Sequence, residues 1–406
     1  MTINAPQLTD AWAGHQRGST AYRRLLAALF CAGVATFAQL YSPQSVLPLI
    51  AADLNTGAAD AALMVSSATA GLAAGVIPWS LVADRIGRVR AMSMSVTAAT
   101  VLGLIVPFAP DYELLLAGRF AEGLLVGGVP AIAIAYLSEE IHPDHAARAA
   151  GMYVAGTSVG GLLGRLVAGP IGEVVGWRIG VLSVAVLCGV GALGFLRLAP
   201  RPRGYHPSRE RSPHAGGTLL RLTANLRSPR QLTLFAQAFL LMGGFVALYN
   251  FLGFRLMAAP FHLPQTLVSL VFLAYLAGTW ASSRAGAEAT RFGRKRVLLV
   301  SIATMIVGVT ITLSDNVFVV LAGLVIGTAG FFGAHAIASG WTGREATVGK
   351  AQASSLYNLF YYGGSSVIGW LGGVAFDAAG WTAVTLTIVM LAGAAAVMAL
   401  VLLPRD

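Results

Sequence analysis

The sequence predicts an all-α integral membrane protein in which twelve transmembrane helices form two six-helix bundles related by pseudo-two-fold symmetry. Three features support this prediction: a low content of charged residues, twelve apolar runs of membrane-spanning length, and an internal repeat. Of the 406 residues, 56% are hydrophobic and only 11% are charged, whereas a soluble domain usually carries about 25%. So few charges cannot cover a water-exposed surface, and we therefore expect lipid to cover most of it.

The apolar runs set the predicted organisation of the chain, because a helix needs about 20 mostly apolar residues to cross a bilayer. Such runs occupy residues 25–50, 61–83, 91–109, 113–137, 149–172, 177–199, 231–257, 265–287, 297–314, 317–340, 351–376 and 381–403. They divide the chain into an N-terminal segment (1–24), a first bundle (25–199), a linker (200–230) and a second bundle (231–403). A short interfacial helix is predicted within the linker, near residues 218–226.

Basic residues concentrate at the termini and in alternate loops, most densely between Arg197 and Arg230. The other loops contain only Arg178 and Arg255 as basic residues. These loops carry seven acids, Asp53, Asp60, Asp111, Glu113, Glu173, Asp315 and Asp377. The positive-inside rule predicts a multi-pass protein of the cytoplasmic (inner) membrane with both termini in the cytoplasm. A basic inner face also accounts for the net charge of +10, and we therefore expect no nucleic-acid partner.

The two halves of the sequence resemble each other. The stretch Phe37–Tyr41 recurs as Phe245–Tyr249, and Arg85–Arg88 recurs as Arg291–Arg294. The offset between equivalent residues drifts smoothly between 208 and 204 along the chain, whereas chance matches would scatter. This pattern indicates a duplicated six-span unit, and parallel repeats of that size are typical of transporters with a substrate path between the halves.

The loop after the second span carries Asp84-Arg85-Ile-Gly87-Arg88-Val-Arg90. This stretch resembles the signature G-x-L-x-D-R-x-G-R-[KR] of the major facilitator superfamily, with Ser80 in place of the leading glycine, and the resemblance covers essentially the whole chain. It implies that Asp84, Arg85, Gly87 and Arg88 latch a cytoplasmic gate. A basic loop that serves only topology is the alternative.

The second half carries a copy of this motif, Thr290-Arg291-Phe-Gly293-Arg294, in which Thr290 replaces the acid. A carboxylate here can face the positive end of a neighbouring helix, whereas a hydroxyl group brings no charge. The resemblance therefore implies a weaker latch from Thr290, Arg291, Gly293 and Arg294.

Two further stretches resemble motifs of the drug:proton antiporter and sugar-efflux branch of the superfamily. Arg119 of span 4 lies in a stretch that resembles R-x-x-x-G, a motif associated with proton-driven members. Span 5 contains a glycine-rich stretch with Gly160, Gly164, Gly169 and Pro170 that resembles the motif of exporters. Glycines at this spacing also let helices approach closely, so helix packing and a role in export direction are both open.

Three ionisable residues lie inside predicted spans, namely Arg119, Glu122 and Arg165. Each costs about 2.5–3.5 kcal/mol on insertion, which makes each a candidate for function. Arg119 and Glu122 are three residues apart and can pair on one helix face, and we expect all three residues at similar depths. Our hypothesis is that Glu122 carries protons, with its proton affinity set by burial and the two arginines. The alternative is a structural ion pair that holds spans 4 and 5 together.

Polar and aromatic residues within spans 1, 7 and 11 are candidates to line a substrate cavity, because spans 1 and 7 face the central cavity in this superfamily. These candidates are Tyr41, Gln44, Tyr249, Asn250, Asn358 and Tyr361. Span 1 contains no acid between Gln39 and Pro48, although many proton-driven exporters of the superfamily carry one there.

Taken together, these features favour a secondary active transporter that couples the efflux of small organic molecules (drugs, sugars or metabolites) to protons. The sequence contains no phosphate-binding GxxxxGK[ST] loop, so we expect no cofactor and a proton gradient as the energy source. The expected partners are a small-molecule substrate, protons and the lipid bilayer, with the chain acting as a monomer and not as an enzyme. A facilitator or importer of a metabolite is the alternative, followed by a lipid flippase or a membrane enzyme.

Overall fold

The structure, a computed structural model, describes residues 12–204 and 217–404. Within these ranges the chain is almost entirely helical, and its one β contact is an isolated bridge between His15 and Ile141. The fold class therefore agrees with the sequence prediction.

Six long helices make up the first half of the chain. They are α1 (Thr20–Leu54), α2 (Ala58–Ile86), α3 (Arg88–Phe108), α4 (Tyr112–Glu140), α5 (Pro143–Val175) and α6 (Trp177–Leu198). Helix α1 contains a 3₁₀ turn over Ser42–Val46, whose Pro43 has no backbone N–H to donate to a regular helix. This turn places irregular backbone near the middle of the molecule.

Six more helices make up the second half. They are α7 (Pro229–Met257), α8 (Gln265–Phe292), α9 (Arg294–Ile311), α10 (Val317–Glu345), α11 (350–378) and α12 (381–402). Helices α11 and α12 form one helical segment, Lys350–Leu402, that breaks at the non-helical residues Ala379 and Gly380. A linker helix, Thr218–Leu226, precedes α7 and confirms the short helix predicted there.

Ten segments of the described chain are long and apolar enough to cross a membrane. One of these segments contains both α11 and α12. Helix α9 is not among the ten, because it begins with three basic residues, Arg294, Lys295 and Arg296. When α9 is added and the long segment is divided, the described residues contain the twelve spanning helices that the sequence predicts.

Several helices are longer than the predicted spans. Helix α5 begins at Pro143 rather than at residue 149, because proline is favoured in the first turn and His142 caps the backbone N–H of Asp144. Its first turns are polar, and hydrophobicity alone therefore missed them.

The repeat extends to backbone conformation. Gly87 and Gly293 each join a pair of consecutive helices with a positive φ, at 95° and 85°. Gly176 and Gly380 do the same in the loops before α6 and α12, with φ of 93° and 66°. Only glycine adopts such angles without strain, so equivalent turns of the two halves are encoded by equivalent glycines.

Each half has its own hydrophobic core. One core consists almost wholly of residues from α1 to α6, and the other almost wholly of residues from α7 to α12. In the first half, α5 packs closely on α1 through glycines: a Cβ atom on Gly160 would lie 2.4 Å from the carbonyl oxygen of Val34. The two cores leave a seam between the halves, where the candidate site lies.

Candidate functional site

We name the two faces of the molecule by their charge. The basic face carries the α2–α3 and α8–α9 loops, which include Arg85, Arg88 and Arg291–Arg296. The acidic face is the opposite one, with Glu173 at the end of α5 and Asp377 at the end of α11.

The hydrogen bonds between the two halves, within the described ranges, all lie between the middle of the molecule and the acidic face. They join Gln44 to Asn250, Arg165 to Tyr275, Ser45 to Gln265, Ser66 to Ser366, Glu173 to Thr266, and Ala58 and Ala59 to Asp377. At about 1.5 Å per residue, the deepest of them lie about 15–18 Å from the acidic ends of their helices. The seam between the halves is therefore tied together on its acidic side.

Two carboxylates hold the outermost part of this seam. The Asp377 carboxylate accepts hydrogen bonds from the backbone N–H groups of Ala58 and Ala59, each at 3.0 Å. The Glu173 carboxylate accepts from the backbone N–H of Thr266 at 2.7 Å and from the hydroxyl group of the same residue. Each acid of one half thus binds the first turn of a helix in the other half.

Arg165 of α5 lies deeper in the seam, with only 3% of its surface exposed. Its Nε donates to Gln44 Oε1 at 2.7 Å, and its Nη1 donates to the carbonyl oxygen of Gly161 at 2.6 Å. Its Nη2 approaches the hydroxyl group of Tyr275, in the other half, at 3.4 Å. The guanidinium group is therefore held by neutral partners, one of which belongs to the second half.

Three aromatic rings surround the same guanidinium group. Its central carbon lies 4.4 Å from the ring centroid of Tyr41 and 4.9 Å from the centroids of both Phe272 and Tyr275. These distances permit cation–π attraction. Arg165 therefore occupies an aromatic cage that is built by both halves.

A hydrogen-bonded chain continues from Arg165 across the seam. Gln44 accepts from Arg165 through Oε1 and donates through Nε2 to Asn250 Oδ1 at 2.7 Å. The Nδ2 group of Asn250 is buried and has no partner. Four of the candidates named from sequence, Tyr41, Gln44, Asn250 and Arg165, therefore meet in one place.

The remaining cavity candidates lie further along the second half. Tyr249 stacks near Tyr275, with ring centroids 4.9 Å apart, and its hydroxyl group pairs with that of Thr328 at 2.7 Å. Tyr361 lies 4.8 Å from the ring of His335. Asn358, one turn closer to the basic face, is exposed. Together they extend the aromatic cage into a polar and aromatic wall on the α7, α10 and α11 side.

Arg119 and Glu122 form a buried ion pair, with an Nη1–Oε2 distance of 2.5 Å and exposed side-chain fractions of 1% and 2%. Arg119 also donates to the carbonyl oxygens of Met64 at 3.0 Å and Leu40 at 2.7 Å. The Gln39 amide donates to the other carboxylate oxygen. The pair is thus neutral and enclosed by α1, α2 and α4 of the first half.

The three charged candidates therefore divide into two places. Glu122 is joined to Arg119, but the hydrogen bonds and ion pairs of Arg165 do not include Glu122. Both places adjoin the same stretch of α1, because Arg119 contacts Leu40 and Arg165 stacks on Tyr41. The ion pair therefore ties α4 to α1 and α2 and not to α5, contrary to the alternative that joined spans 4 and 5.

The motif in the α2–α3 loop forms a local charge cluster. Arg88 pairs with Asp84 at 2.6 Å and with Glu139, at the end of α4, at 2.9 Å. Arg85 is exposed, and Gly87 supplies the turn. These described contacts lie within the first half.

The second copy of the motif has different contacts. The Thr290 hydroxyl group donates to the carbonyl oxygen of Ala287 at 2.6 Å, within its own helix. The guanidinium group of Arg291 stacks on Phe292 and that of Arg294 on Trp341, each at 5.0 Å, while Gly293 supplies the turn. Within the described contacts, both arginines of this copy thus stack on aromatic rings.

The glycine-rich stretch of α5 contacts both halves. Gly164 faces α1, where a Cβ atom would lie 2.6 Å from the carbonyl oxygen of Ala38. Gly169 faces α8 of the other half, where a Cβ atom would lie 1.6 Å from Ser269 Oγ. Pro170 follows directly and lies inside the helix. These small residues allow α5 to lie in close contact with both α1 and α8.

Sequence reasoning missed several residues of the seam. Phe272 and Tyr275 belong to an apolar span, and no periodicity distinguishes them. Glu173 and Asp377 lie at span ends, where acids are common among the loop residues of this face. Gln39, which binds Glu122 within the first half, was also missed, although it is a polar residue inside a span and lies two residues before Tyr41.

Two similar six-helix halves, meeting at a polar and aromatic seam that is closed toward one face, define a multi-pass membrane transporter of the two-bundle class. The family model of the Major Facilitator Superfamily matches residues 29–256 and 234–406, and the chain belongs to this superfamily.

Curated relatives and solved structures agree with this membership. The chain is 38% identical to the inner membrane transport protein YnfM of Escherichia coli (strain K12) over 369 residues, which cover 91% of this chain and 88% of that protein. It is 34% identical to the uncharacterized MFS-type transporter YybF of Bacillus subtilis (strain 168), with 91% of each chain covered. The fold is similar to that of a bacterial homologue of the human lysosomal transporter Spinster, with a TM-score of 0.74, 15% identity and coverage of 95% and 96%.

Proposed function

We propose that this chain is a secondary active transporter that exports a small organic molecule in exchange for protons by alternating access. The observation that carries the proposal is the closure of the seam on its acidic side: hydrogen bonds join described residues of the two halves from the cluster around Arg165 to the acidic face. A pocket tied on one side is the arrangement from which rocking of two bundles exposes a substrate site alternately to each side. One chain carries both halves, so a monomer suffices.

The proposed orientation places the basic face in the cytoplasm and the acidic face outside the inner membrane. The positive-inside rule supports this orientation, because the arginine-containing α2–α3 and α8–α9 loops lie on the face where α1 begins and α12 ends. The E. coli relative is called an inner membrane transport protein, which supports the choice of membrane. In this orientation the described state is closed to the outside.

Proton coupling is assigned to Glu122. Its carboxylate is the one acid buried in the middle of the described spans, and Arg119 and Gln39 hold its two oxygens. Protonation of Glu122 would release Arg119, which also binds carbonyl oxygens of α1 and α2. A proton bound there would therefore change the contacts of α1 and α2, which both reach the seam.

Export is the proposed direction because of the glycine-rich stretch of α5, which resembles the motif of exporters. The stretch lies where direction could be set, since Gly164 packs on α1 of the same half and Gly169 packs on α8 of the other. Small residues let helices approach closely, so this stretch supports a close contact of α5 with both halves.

A facilitator is the second candidate, and the enclosure of the ion pair favours it. Arg119 and Glu122 are nearly fully buried and neutralise each other away from Arg165, so a purely structural pair would leave no proton carrier in the pathway. Proton movement on addition of substrate to proteoliposomes separates the two candidates, and inside-out vesicles give the direction. The substrate for these assays comes from a panel of toxic compounds tested on cells that lack or over-produce the protein.

Alternating access itself is tested by fixing the closed face. In a Cys31→Ser/Cys188→Ser background, Glu173→Cys and Thr266→Cys are joined as a disulfide by mild oxidation, which leaves a distant single thiol free. We expect linked protein to lose transport while a third cysteine, Asn358→Cys, stays reactive toward an impermeant maleimide from the basic face. The unlinked triple variant is the control. Transport that continues in fully linked protein would contradict the proposal.

A further inference from the structure

We infer that the pocket between the halves selects an organic anion, with the carboxylate of the substrate bound by Arg165 and its apolar body held by the surrounding rings. The inference rests on the proposed function, in which this pocket is the substrate site. It assigns to Arg165 a role in substrate recognition rather than in proton coupling.

The charge balance of the seam is the first support. Arg165 is 3% exposed, and none of the ion pairs between described residues includes it. Glu122 is the nearest acid by depth, but it is already neutralised by Arg119. A buried charge is costly unless it is paired. The cluster around Arg165 therefore carries one net positive charge, which an anionic ligand would balance.

The number of available donors is the second support. A guanidinium group has five N–H groups, and three of those of Arg165 donate in the structure, one of them over a long distance of 3.4 Å. The two that are left lie on the two terminal nitrogens, which is where a carboxylate binds in the bidentate mode. The unpartnered Nδ2 group of Asn250 adds a further donor one residue away, across Gln44.

The walls of the pocket indicate the shape of the rest of the ligand. Tyr41, Phe272 and Tyr275 surround the guanidinium group, and the stack continues through Tyr249 to Phe245, whose centroid lies 5.0 Å from that of Tyr249. A flat apolar body next to a carboxylate satisfies both the rings and the cation. A cationic substrate would meet Arg165 without a carboxylate to offset the repulsion.

The test uses aromatic carboxylates and their neutral isosteres. Purified full-length protein is titrated with benzoate and cinnamate, and in parallel with benzamide and cinnamamide, at constant chloride, and binding is followed by thermal unfolding and calorimetry. We expect at least one acid to bind at least about tenfold more tightly than its amide, as a charged hydrogen bond implies. Arg165→Gln should abolish this preference, and Arg165→Lys should retain part of it because the charge remains.

Arg255→Gln is the matched control. Arg255 is also an arginine inside a helix, although it is only partly buried, and it donates to carbonyl oxygens of residues 312–314 near the acidic face. We expect its variant to keep the preference. Should Arg165→Gln not fold, the comparison of acid and amide in Arg165→Lys decides. Equal binding of acid and amide, a preference that survives Arg165→Gln, or no binding of any acid overturns the inference. None of these outcomes would change the result of the cross-linking test of alternating access. A failure of this inference can therefore be distinguished from a failure of the proposed function.

Discussion

Glu173 and Asp377 occupy equivalent positions in the two halves and make equivalent contacts with the opposite half. They are 204 residues apart, the same offset that separates Trp177 from Trp381. Asp377 binds backbone N–H groups at the start of α2, and Glu173 binds one at the start of α8. The first turns of helices carry unpaired N–H groups and a partial positive charge, which carboxylates stabilise. The acidic face is therefore closed by a symmetric pair of contacts.

Removal of these charges should loosen the acidic face. The variant Glu173→Gln/Asp377→Asn is expected to destabilise the closed face by about 0.5–1 kcal/mol per site, since both acids are exposed and screened. Ser66 lies behind these two contacts and is 1% exposed. The reactivity of the thiol in a Ser66→Cys variant therefore reports opening of the acidic face. We expect an impermeant maleimide added from the acidic face to label this thiol about two- to tenfold faster in the double variant.

Glu113→Gln is the matched control for this measurement. Glu113 is an exposed acid in the first turn of α4 on the same face, and its neutralisation should leave the labelling rate of Ser66→Cys unchanged. An unchanged rate in the Glu173→Gln/Asp377→Asn variant would show that the two contacts do not hold the face closed.

Some parts of the candidate site are local in sequence, and others are not. The pairing of Arg119 with Glu122 follows from their three-residue spacing on one helix, and the structure has that contact. The environment of Arg165 does not follow from spacing, because Tyr275 reaches it from 110 residues away in the other half. The spans and the internal repeat can be predicted from the composition and the periodicity of the sequence. The contacts of the seam cannot, because they depend on how the two bundles pack against each other.

The role of the Arg119–Glu122 pair can be decided with two variants. Glu122→Gln is expected to abolish proton-coupled transport with normal expression, although it leaves Arg119 buried without a carboxylate and should lower the unfolding temperature. In the Arg119→Gln/Glu122→Gln variant no charge is unpaired, and we expect stability to recover while coupling stays absent. Proton flux into proteoliposomes and thermal unfolding are measured together. Coupling that persists in both variants would leave the pair as a structural contact.

The close approach of α5 and α1 depends on Gly160. In Gly160→Ala, the added Cβ atom would lie 2.4 Å from the carbonyl oxygen of Val34, so the two helices must move apart. We expect a loss of about 1–3 kcal/mol, seen as a lower unfolding temperature. Gly151→Ala on the same helix is the control, because nothing lies within 4 Å of its Cβ position and alanine favours helix. Equal stability of the two variants would show that α5 and α1 adjust without cost.

The N-terminal segment outside the membrane should detach more easily in acid. His15 exchanges backbone hydrogen bonds with Glu140 and His142, and its ring lies 3.9 Å from the Glu140 carboxylate. Burial lowers the pKa of His15 below 6.5, although Glu140 opposes this shift and Arg203 adds to it. Between the lowered pKa of the docked segment and the ordinary value of 6.5, His15 therefore binds fewer protons when the segment is docked than when it is free. The stability of the docked segment is full above pH 6.5 and declines as the pH falls through the lowered pKa.

Hydrogen exchange of residues 12–18 measures this docking. We expect the protection of these amides to fall as the pH drops below 6.5, after correction for the intrinsic exchange rate. His15→Phe keeps the backbone contacts and the edge-on packing against the ring of Trp12 but cannot be protonated, so its protection should stay constant over the same range. Because only the charge of one ring differs between the two proteins, an equal loss of protection in both would assign the effect of acid to another group.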